Sequence, residues 1–250
     1  MNNNIYTYCL MLADNNLILG QRMGEWCGHG PVLEQDIALT NIALDLIGQS
    51  RMLFQYAAEI KGDGATEDSL AFVRQPGEYL NCQLVEQMNE NFGHTIMRQF
   101  LFDAFNYYNY KALKESNDET LAAIAAKSFK EVSYHLRFSS EWVIRLGDGT
   151  EVSRNKMQTA LDNLWRHTGE LYTPTELELS LSDLGVAPDF NEIKENWTKK
   201  VNDVLQEATL KIPESEYMQT GGKKGIHTEH FGYILAELQY MQRTYPNLQW

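Results

Sequence analysis

The chain has 250 residues, of which 43% are hydrophobic, and a formal net charge of −13 at pH 7. This length and hydrophobic fraction allow a sizeable packed core in one large domain, and they exclude wholesale disorder. The strong negative charge argues against nucleic acid as a partner, because phosphates are bound by clusters of Lys and Arg. It is compatible with a basic protein partner.

The three cysteines, Cys9, Cys27 and Cys82, have neither the spacing of a zinc site nor that of a disulfide framework. They indicate a reducing compartment. Cys27 lies two residues from His29 at a predicted helix end, a spacing that indicates a turn more than a nucleophile pair. We expect no signal peptide, and because no run of about 18 apolar residues is present, we expect no membrane span and a cytoplasmic location.

The stretches between proline- and glycine-rich breaks have helical periodicity. The second predicted helix shows the pattern well, because Leu33, Ile37, Leu44, Ile47 and Phe54 follow one helix face. The predicted helices span about 3–26, 33–60, 67–74, 77–87, 90–115, 119–146, 152–171, 175–183, 190–209 and 228–243.

Four of these helices are far longer than the usual length of about 11–12 residues. Long helices of matched length favour a bundle, and the long bundles with inward carboxylates include the ferritin-like di-iron proteins. No linker divides the chain. The sequence therefore predicts an all-α fold, a ferritin-like long four-helix bundle with additional C-terminal helices, in a single domain over residues 1–250.

A ferritin-like di-iron site uses one Glu from each of two helices and a Glu-x-x-His pair from each of the other two. His135 lies in the fourth long helix, where such a pair belongs, but Val132 stands three residues before it and Glu131 is one position off. In the second helix the corresponding positions are Leu46 and Gln49. Both motif glutamates are thus aliphatic and one motif histidine is an amide. This pattern indicates a degenerate site and no metal in this chain.

The spacing of Glu131 and His135 leaves three interpretations open: a surface i, i+4 pair, a buried hydrogen-bond network, or metal ligands. A similar choice, between a solvated face and a buried network, applies to four polar residues on one side of the second helix, Asp36, Asn41, Asp45 and Gln49.

A segment near the C-terminus reads G-G-K-K-G-I-H-T-E-H-F-G and contains an H-x-x-H pair, His227 and His230. No distant ligand for a zinc site is evident. Thr228 is predicted to cap the last helix, and Lys223 and Lys224 form a basic pair in an acidic chain. Structure or partner docking, phosphate binding and metal binding are the interpretations left open here.

Several separated motifs resemble the C subunit of bacterial ring-1,2-phenylacetyl-CoA epoxidases: W-C-G-H-G-P, L-D-L-I-G-Q, E-V-S-Y-H-L-R-F-S, L-W-R-H-T-G-E-L and G-G-K-K-G-I-H-T-E-H. They occur in the family's order, and the similarity covers nearly the whole chain. The resemblance implies a ferritin-like, non-catalytic structural subunit of a multicomponent monooxygenase. That enzyme epoxidises the aromatic ring of phenylacetyl-CoA in aerobic phenylacetate degradation.

The resemblance also implies the partners and cofactors. A catalytic A subunit would carry the di-iron centre and form a heterodimer with this chain, and a small B subunit would bridge such heterodimers. A reductase would bring electrons from NADPH through flavin and iron–sulfur groups. No cofactor is expected in this chain itself.

The family further implies contact with the CoA substrate from two segments of this subunit. Asn81 matches the family residue and Tyr79 is a similar aromatic, so backbone contacts are the stronger expectation, and ordinary helix ends are the alternative. The corresponding positions are Glu78, Tyr79, Leu80, Asn81, Leu179, Ser180 and Leu181.

Two other functions remain as alternatives at this point. One is a di-iron oxygenase in its own right, with an unusual ligand set of Glu131, His135, Asp45 and Asp36. The other is a binding module that uses the basic pair for the phosphates of CoA.

Overall fold

The computed structural model describes residues 2–215, 217–246 and 248, and within these ranges it contains helices and turns but no strand. The predicted all-α fold class is confirmed, and the long helices are consistent with a ferritin-like helical bundle. No helix in this part of the chain has the length and hydropathy of a membrane span. The α-helices are, in chain order, α1 (Asn2–Gly24), α2 (Leu33–Lys61), α3 (Glu67–Phe72), α4 (Phe92–Leu113), α5 (Glu119–Gly147), α6 (Glu151–Trp165), α7 (Gly169–Tyr172), α8 (Glu176–Asp183), α9 (Phe190–Glu207), α10 (Glu229–Leu238) and α11 (Tyr240–Thr244).

The helices belong to two compact units. The first unit runs up to Glu86 and includes the stretch from Gly221 onward, so it contains α1–α3, α10 and α11. The second unit is Gln87–Thr220 and contains α4–α9. The expectation of a single domain stays a prediction.

The first unit is built on an antiparallel pair, α1 and α2. Every residue from 8 to 20 in α1 is buried, including the polar run D-N-N at 14–16. A helix that is buried on all sides must satisfy its polar side chains internally. The two helices approach closely at Gly20, where a Cβ atom would lie 3.3 Å from the Cβ of Leu46.

The second unit is built on another antiparallel pair, α4 and α5. The ring of Phe92 packs edge-on against Trp142 at one end, with centroids 5.3 Å apart, and Tyr107 packs on Phe129 at 5.2 Å towards the other end. Helix α5 begins where the sequence predicts, because the side chain of Asp118 accepts a hydrogen bond from the N–H of Leu121 at 2.9 Å.

The predicted helix over 77–87 is wrong. The segment instead contains two short 3₁₀ helices, Pro76–Glu78 and Gln83–Glu86. Between them, the N–H groups of Leu80 and Cys82 donate to the side chains of Asp14 and Asn15, each at 2.8 Å. Side chains of α1 thus take backbone donors that a helix would have bonded to its own carbonyl groups.

Two further predicted helices are each divided in two. The helix predicted over 152–171 ends at Trp165 and is followed by the short α7. The helix predicted over 228–243 is divided into α10 and α11 at Gln239. The amide of Gln239 is buried and donates to the carbonyl of Arg74 and the hydroxyl of Tyr79, each at 2.9 Å.

The outer side of α2 differs from the sequence prediction. Of the predicted apolar face, Phe54 is buried, whereas four residues are 42–71% exposed and are named here the α2 stripe: Leu33, Ile37, Leu44 and Ile47. The buried side carries a second aliphatic set, Leu39, Ile42, Leu46 and Leu53. Because both sides are apolar, periodicity alone did not identify the buried one.

Candidate functional site

The first degenerate motif lies in the core of the first unit. Leu46 and Gln49 are both fully buried. The Oε1 of Gln49 accepts a hydrogen bond from the Nδ2 of Asn16 at 3.5 Å. The position expected for a glutamate ligand is therefore aliphatic, and the position expected for histidine carries an amide that pairs with another amide.

Three other polar residues of α2, namely Asp36, Asn41 and Asp45, are less buried than Gln49. Asp36 is half-buried, and its carboxylate accepts a hydrogen bond from the N–H of Gly30 at 2.8 Å. Backbone donors of Gly30 and Gly28 hold the pKa of Asp36 below its usual value. Asp45 is half-buried and Asn41 is exposed. Asp36 thus closes the turn before α2.

The second degenerate motif lies in the core of the second unit, where Val132 is 1% exposed and His135 is fully buried. Near His135 lies Asp103 of α4, which the sequence analysis missed. Its two carboxylate oxygens accept hydrogen bonds from the Nε2 of Gln99 and the Oγ of Ser139, each at 2.7 Å. The interpretation of His135 as part of a buried polar network is the one that fits, because α5 places it inside.

The carboxyl group of Asp103 has an unusual proton affinity. Burial raises its pKa to about 6, and the nearby His135 together with the donors Ser139 and Gln99 oppose that rise. Neutral donors compensate a buried charge less well than a cation does. Asp103 is therefore a carboxyl group whose pKa lies well above the ordinary value for an aspartate.

The side chains at these positions do not fit a di-iron centre. Both motif glutamates are replaced by buried aliphatic groups, Leu46 and Val132, which offer no lone pair to a metal. Among the described residues no cluster of three or more His, Cys, Asp or Glu has the arrangement of a metal site. The expectation that this chain carries no cofactor stays a prediction.

The first segment expected to touch substrate is held within the first unit. Tyr79 and Asn81 are fully buried, Leu80 is half-buried, and Glu78 is exposed. The hydroxyl of Tyr79 donates to the carbonyl of Ala71 at 2.6 Å, and burial raises the pKa of Tyr79 to about 12. Only Glu78 and part of Leu80 present side chains to solvent.

A buried ion pair braces this segment. The guanidinium of Arg74 donates to both carboxylate oxygens of Asp14, and one of these oxygens also accepts from the N–H of Leu80. The same guanidinium lies 4.0 Å from the ring centroid of Tyr79 and donates to the carbonyl of Glu78 at 2.6 Å. Both charges are thus paired and hydrogen-bonded, which is the condition for burying them.

A second buried carboxylate, Glu86, holds the C-terminal segment in the same unit. It lies 2.6 Å from the Nδ1 of His227 and accepts hydrogen bonds from the N–H and hydroxyl of Thr228, at 2.8 and 2.7 Å. The other ring nitrogen of His227 lies 3.0 Å from the carbonyl of Tyr79. Thr228 lies at the N-cap position of α10, as predicted, but its hydroxyl bonds to Glu86 and makes no capping hydrogen bond. His227 has a structural role, which the sequence analysis left open.

The remaining candidates are distributed as follows. Lys223 is buried and Lys224 is exposed, so the basic pair does not present two free charges to one ligand. In α8, Leu179 is 50% exposed, Ser180 is half-buried and donates to the carbonyl of Leu177, and Leu181 is fully buried. A role of these residues in substrate contact stays a prediction.

Comparison with known proteins places these features in a family. A family model described as "Phenylacetic acid catabolic protein" matches residues 1–250. A relative from Escherichia coli (strain K12), the C subunit of 1,2-phenylacetyl-CoA epoxidase, is 51% identical over 248 residues, which cover 99% of this chain and 100% of the relative.

Proposed function

The chain belongs to the phenylacetic acid catabolic protein family, and on that premise we propose that it is a non-catalytic structural subunit of a phenylacetyl-CoA epoxidase. It pairs with a catalytic subunit that carries the di-iron centre and epoxidises the aromatic ring in aerobic phenylacetate degradation. A bridging subunit and a reductase using NADPH, flavin and iron–sulfur groups complete the complex in the cytoplasm. The name of the Escherichia coli relative supports the complex and the substrate.

The observation that carries this proposal is the difference between the buried side and the exposed side of helix α2. Its buried side has Leu46 where a di-iron subunit has a glutamate ligand. Its outer side is the α2 stripe, four large aliphatic side chains at helical spacing that face solvent in the single chain. A contiguous apolar surface of this kind marks a protein–protein interface. On this proposal, the buried side of α2 has no metal ligand at Leu46, and its exposed side binds the partner subunit.

The α2 stripe also borders a cavity suited to a partner's side chain. Ile47 lines an opening of about 270 Å³ together with Leu17, Phe54 and Phe72. Binding energy at interfaces concentrates where a large side chain fills such a pocket.

Contact of this chain with phenylacetyl-CoA belongs to the same proposal, through the exposed Glu78 and Leu179 and nearby backbone.

The test is co-purification of the chain with the catalytic subunit from the same host. We expect the double substitution Leu44→Glu and Ile47→Glu to abolish the complex, because it places two charges in an apolar interface. The control, Val152→Glu with Leu184→Glu, alters two similarly exposed aliphatic residues, one on α6 and one directly after α8, and should leave the complex intact.

The thermal unfolding midpoints of the free variants should stay close to that of the wild type, since all four positions are exposed. A stripe variant that still forms the complex, or a wild-type chain that is a monodisperse monomer without affinity for the catalytic subunit, would contradict the proposal.

A further inference from the structure

The outer side of α5 carries a row of aromatic rings. Tyr134, Phe138 and Trp142 follow each other at four-residue intervals, with ring centroids 6.1 and 6.5 Å apart. Phe92 of α4 extends the row by packing edge-on against Trp142. Tyr134 is exposed, and the other three rings are half-buried. The row is accessible although the opposite side of α5 faces the core.

Two guanidinium groups lie over this row. The Cζ of Arg137 is 5.8 Å from the ring centroid of Tyr134, and that of Arg145 is 4.8 Å from the centroid of Trp142. Both arginines are exposed, and neither forms an ion pair with a carboxylate of the described residues. Arginine stacked on an aromatic ring keeps its outward N–H donors available to another molecule.

The charge on this side of α5 is opposite to that of the chain. Lys130, Arg137 and Arg145 share it with two carboxylates, the exposed Glu141 and the half-buried Glu131, in a protein whose formal net charge is −13. Tyr, Trp and Arg are the residues most enriched at interface hot spots. We name this surface the aromatic–arginine strip: Phe92, Tyr134, Arg137, Phe138, Trp142 and Arg145.

We propose that the aromatic–arginine strip is a docking surface for an acidic segment of another subunit of the complex. Asp or Glu side chains of that segment bind the two guanidinium groups, and an apolar side chain covers the aromatic row. The inference rests on the proposed function only in taking the partner from the same complex.

A protein segment fits this surface better than a nucleic acid does. The strip offers two guanidinium groups along one helix, whereas phosphate backbones are bound by larger basic patches on proteins of positive charge.

The experiment uses the full chain co-expressed with the other subunits of its epoxidase. Arg137→Glu with Arg145→Glu reverses the charge of the strip, and Lys194→Glu with Lys199→Glu makes the same charge change at two exposed sites on α9. Each purified subunit is immobilised on a sensor surface, and the affinity of each variant for it is measured. We expect the strip variant to lose at least about tenfold in affinity for one subunit, since truncating or reversing a charge pair at an interface costs that much or more. The lysine control should stay within about twofold.

A photo-crosslinking residue at position 138 identifies the segment that covers the strip. A crosslink to a stretch with two or more Asp or Glu residues supports the proposal. A strip variant that binds every subunit as the wild type does, a crosslink confined to a neutral or basic stretch, or tighter binding of a 20-nucleotide single strand than of polyglutamate overturns it. If the wild-type chain binds none of the subunits, the proposed function itself fails, and the two failures are thereby distinguished.

Discussion

The two units bury carboxylates in different ways. In the first unit, Asp14 is fully buried against the guanidinium of Arg74 and a backbone N–H. In the second, Asp103 is equally buried, but its oxygens are bonded by the neutral groups of Gln99 and Ser139. Burial raises the pKa of both carboxyl groups. For Asp14, whose ion pair braces a segment, the guanidinium of Arg74 opposes that rise, and for Asp103 the pKa is raised to about 6.

The buried polar groups therefore have different roles in the two units. The charges of the first unit replace helical hydrogen bonds in the segment after α3, so removing one would leave the other buried and unpaired. The polar group of the second unit lies beside His135, on helices that elsewhere in the ferritin-like class hold a metal. There the protein keeps a hydrogen-bonded acid and imidazole without the glutamates of a ligand set.

Removing the cation of the first unit should give the largest effect. Arg74→Met keeps an unbranched but shorter side chain and leaves the buried Asp14 without its cation, so we expect the free energy of unfolding to fall by about 3–5 kcal/mol. Urea denaturation followed by circular dichroism measures it. The matched control is Arg51→Met, which breaks an exposed pair with Glu67 and should change stability little. Equal losses in both variants would mean that the buried pair contributes no more to the free energy of unfolding than the exposed pair does.

The second unit should respond to pH through Asp103. In the unfolded chain Asp103 has its ordinary pKa of 3.8, and in the folded chain the value is about 6, so the native state binds the proton more tightly. Its contribution to stability is present below about pH 4 and is lost as the pH rises to about 6, a change of about 3 kcal/mol.

Asp103→Asn should remove this dependence. The Oε1 of Gln99 has no hydrogen-bond partner within the described residues, so a flipped Gln99 can accept from the new amide. The measurement is the difference in unfolding free energy between wild type and variant across pH 4–7. A difference that does not vary with pH would rule out the raised pKa.

The smallest predicted effect concerns the hydroxyl of Thr228. Thr228→Val keeps the shape but loses the hydrogen bond to Glu86, and we expect a loss of about 1–2 kcal/mol with faster amide exchange in the segment from Gly221. Thr228→Ser should retain most of the stability, since it retains the hydroxyl. If valine and serine behave alike, the bond to Glu86 does not hold that segment.

Much of the helical architecture follows from the sequence because the signals are local. The cap at Asp118 and the strongly one-sided pattern of α5 predict its bounds to within a residue. By contrast, Leu44 and Leu46 are the same residue type two positions apart, yet one is 62% exposed and the other fully buried. Which side of α2 faces the core depends on α1, and no local pattern contains that information.

The site residues that the sequence did not predict depend on distant partners. Asp14 bonds to Arg74 across 60 positions of the chain, and Glu86 to His227 across 141. A retrospective signal exists for Asp14 and Asp103: an acid inside an apolar helix, as in M-L-A-D-N-N and F-L-F-D-A-F, must be paired if the helix is buried. The partner's identity could not be read from the same stretch.

The central claim, that this chain supports a catalytic subunit without holding the metal itself, is tested most directly by iron analysis. The purified chain would be measured alone and after co-purification with the catalytic subunit. The account predicts no iron in the isolated chain and about two irons per heterodimer, the number that a di-iron site requires. Stoichiometric iron in the isolated chain would contradict it, because side chains such as Glu131 and His135 would then be ligands in spite of Leu46 and Val132.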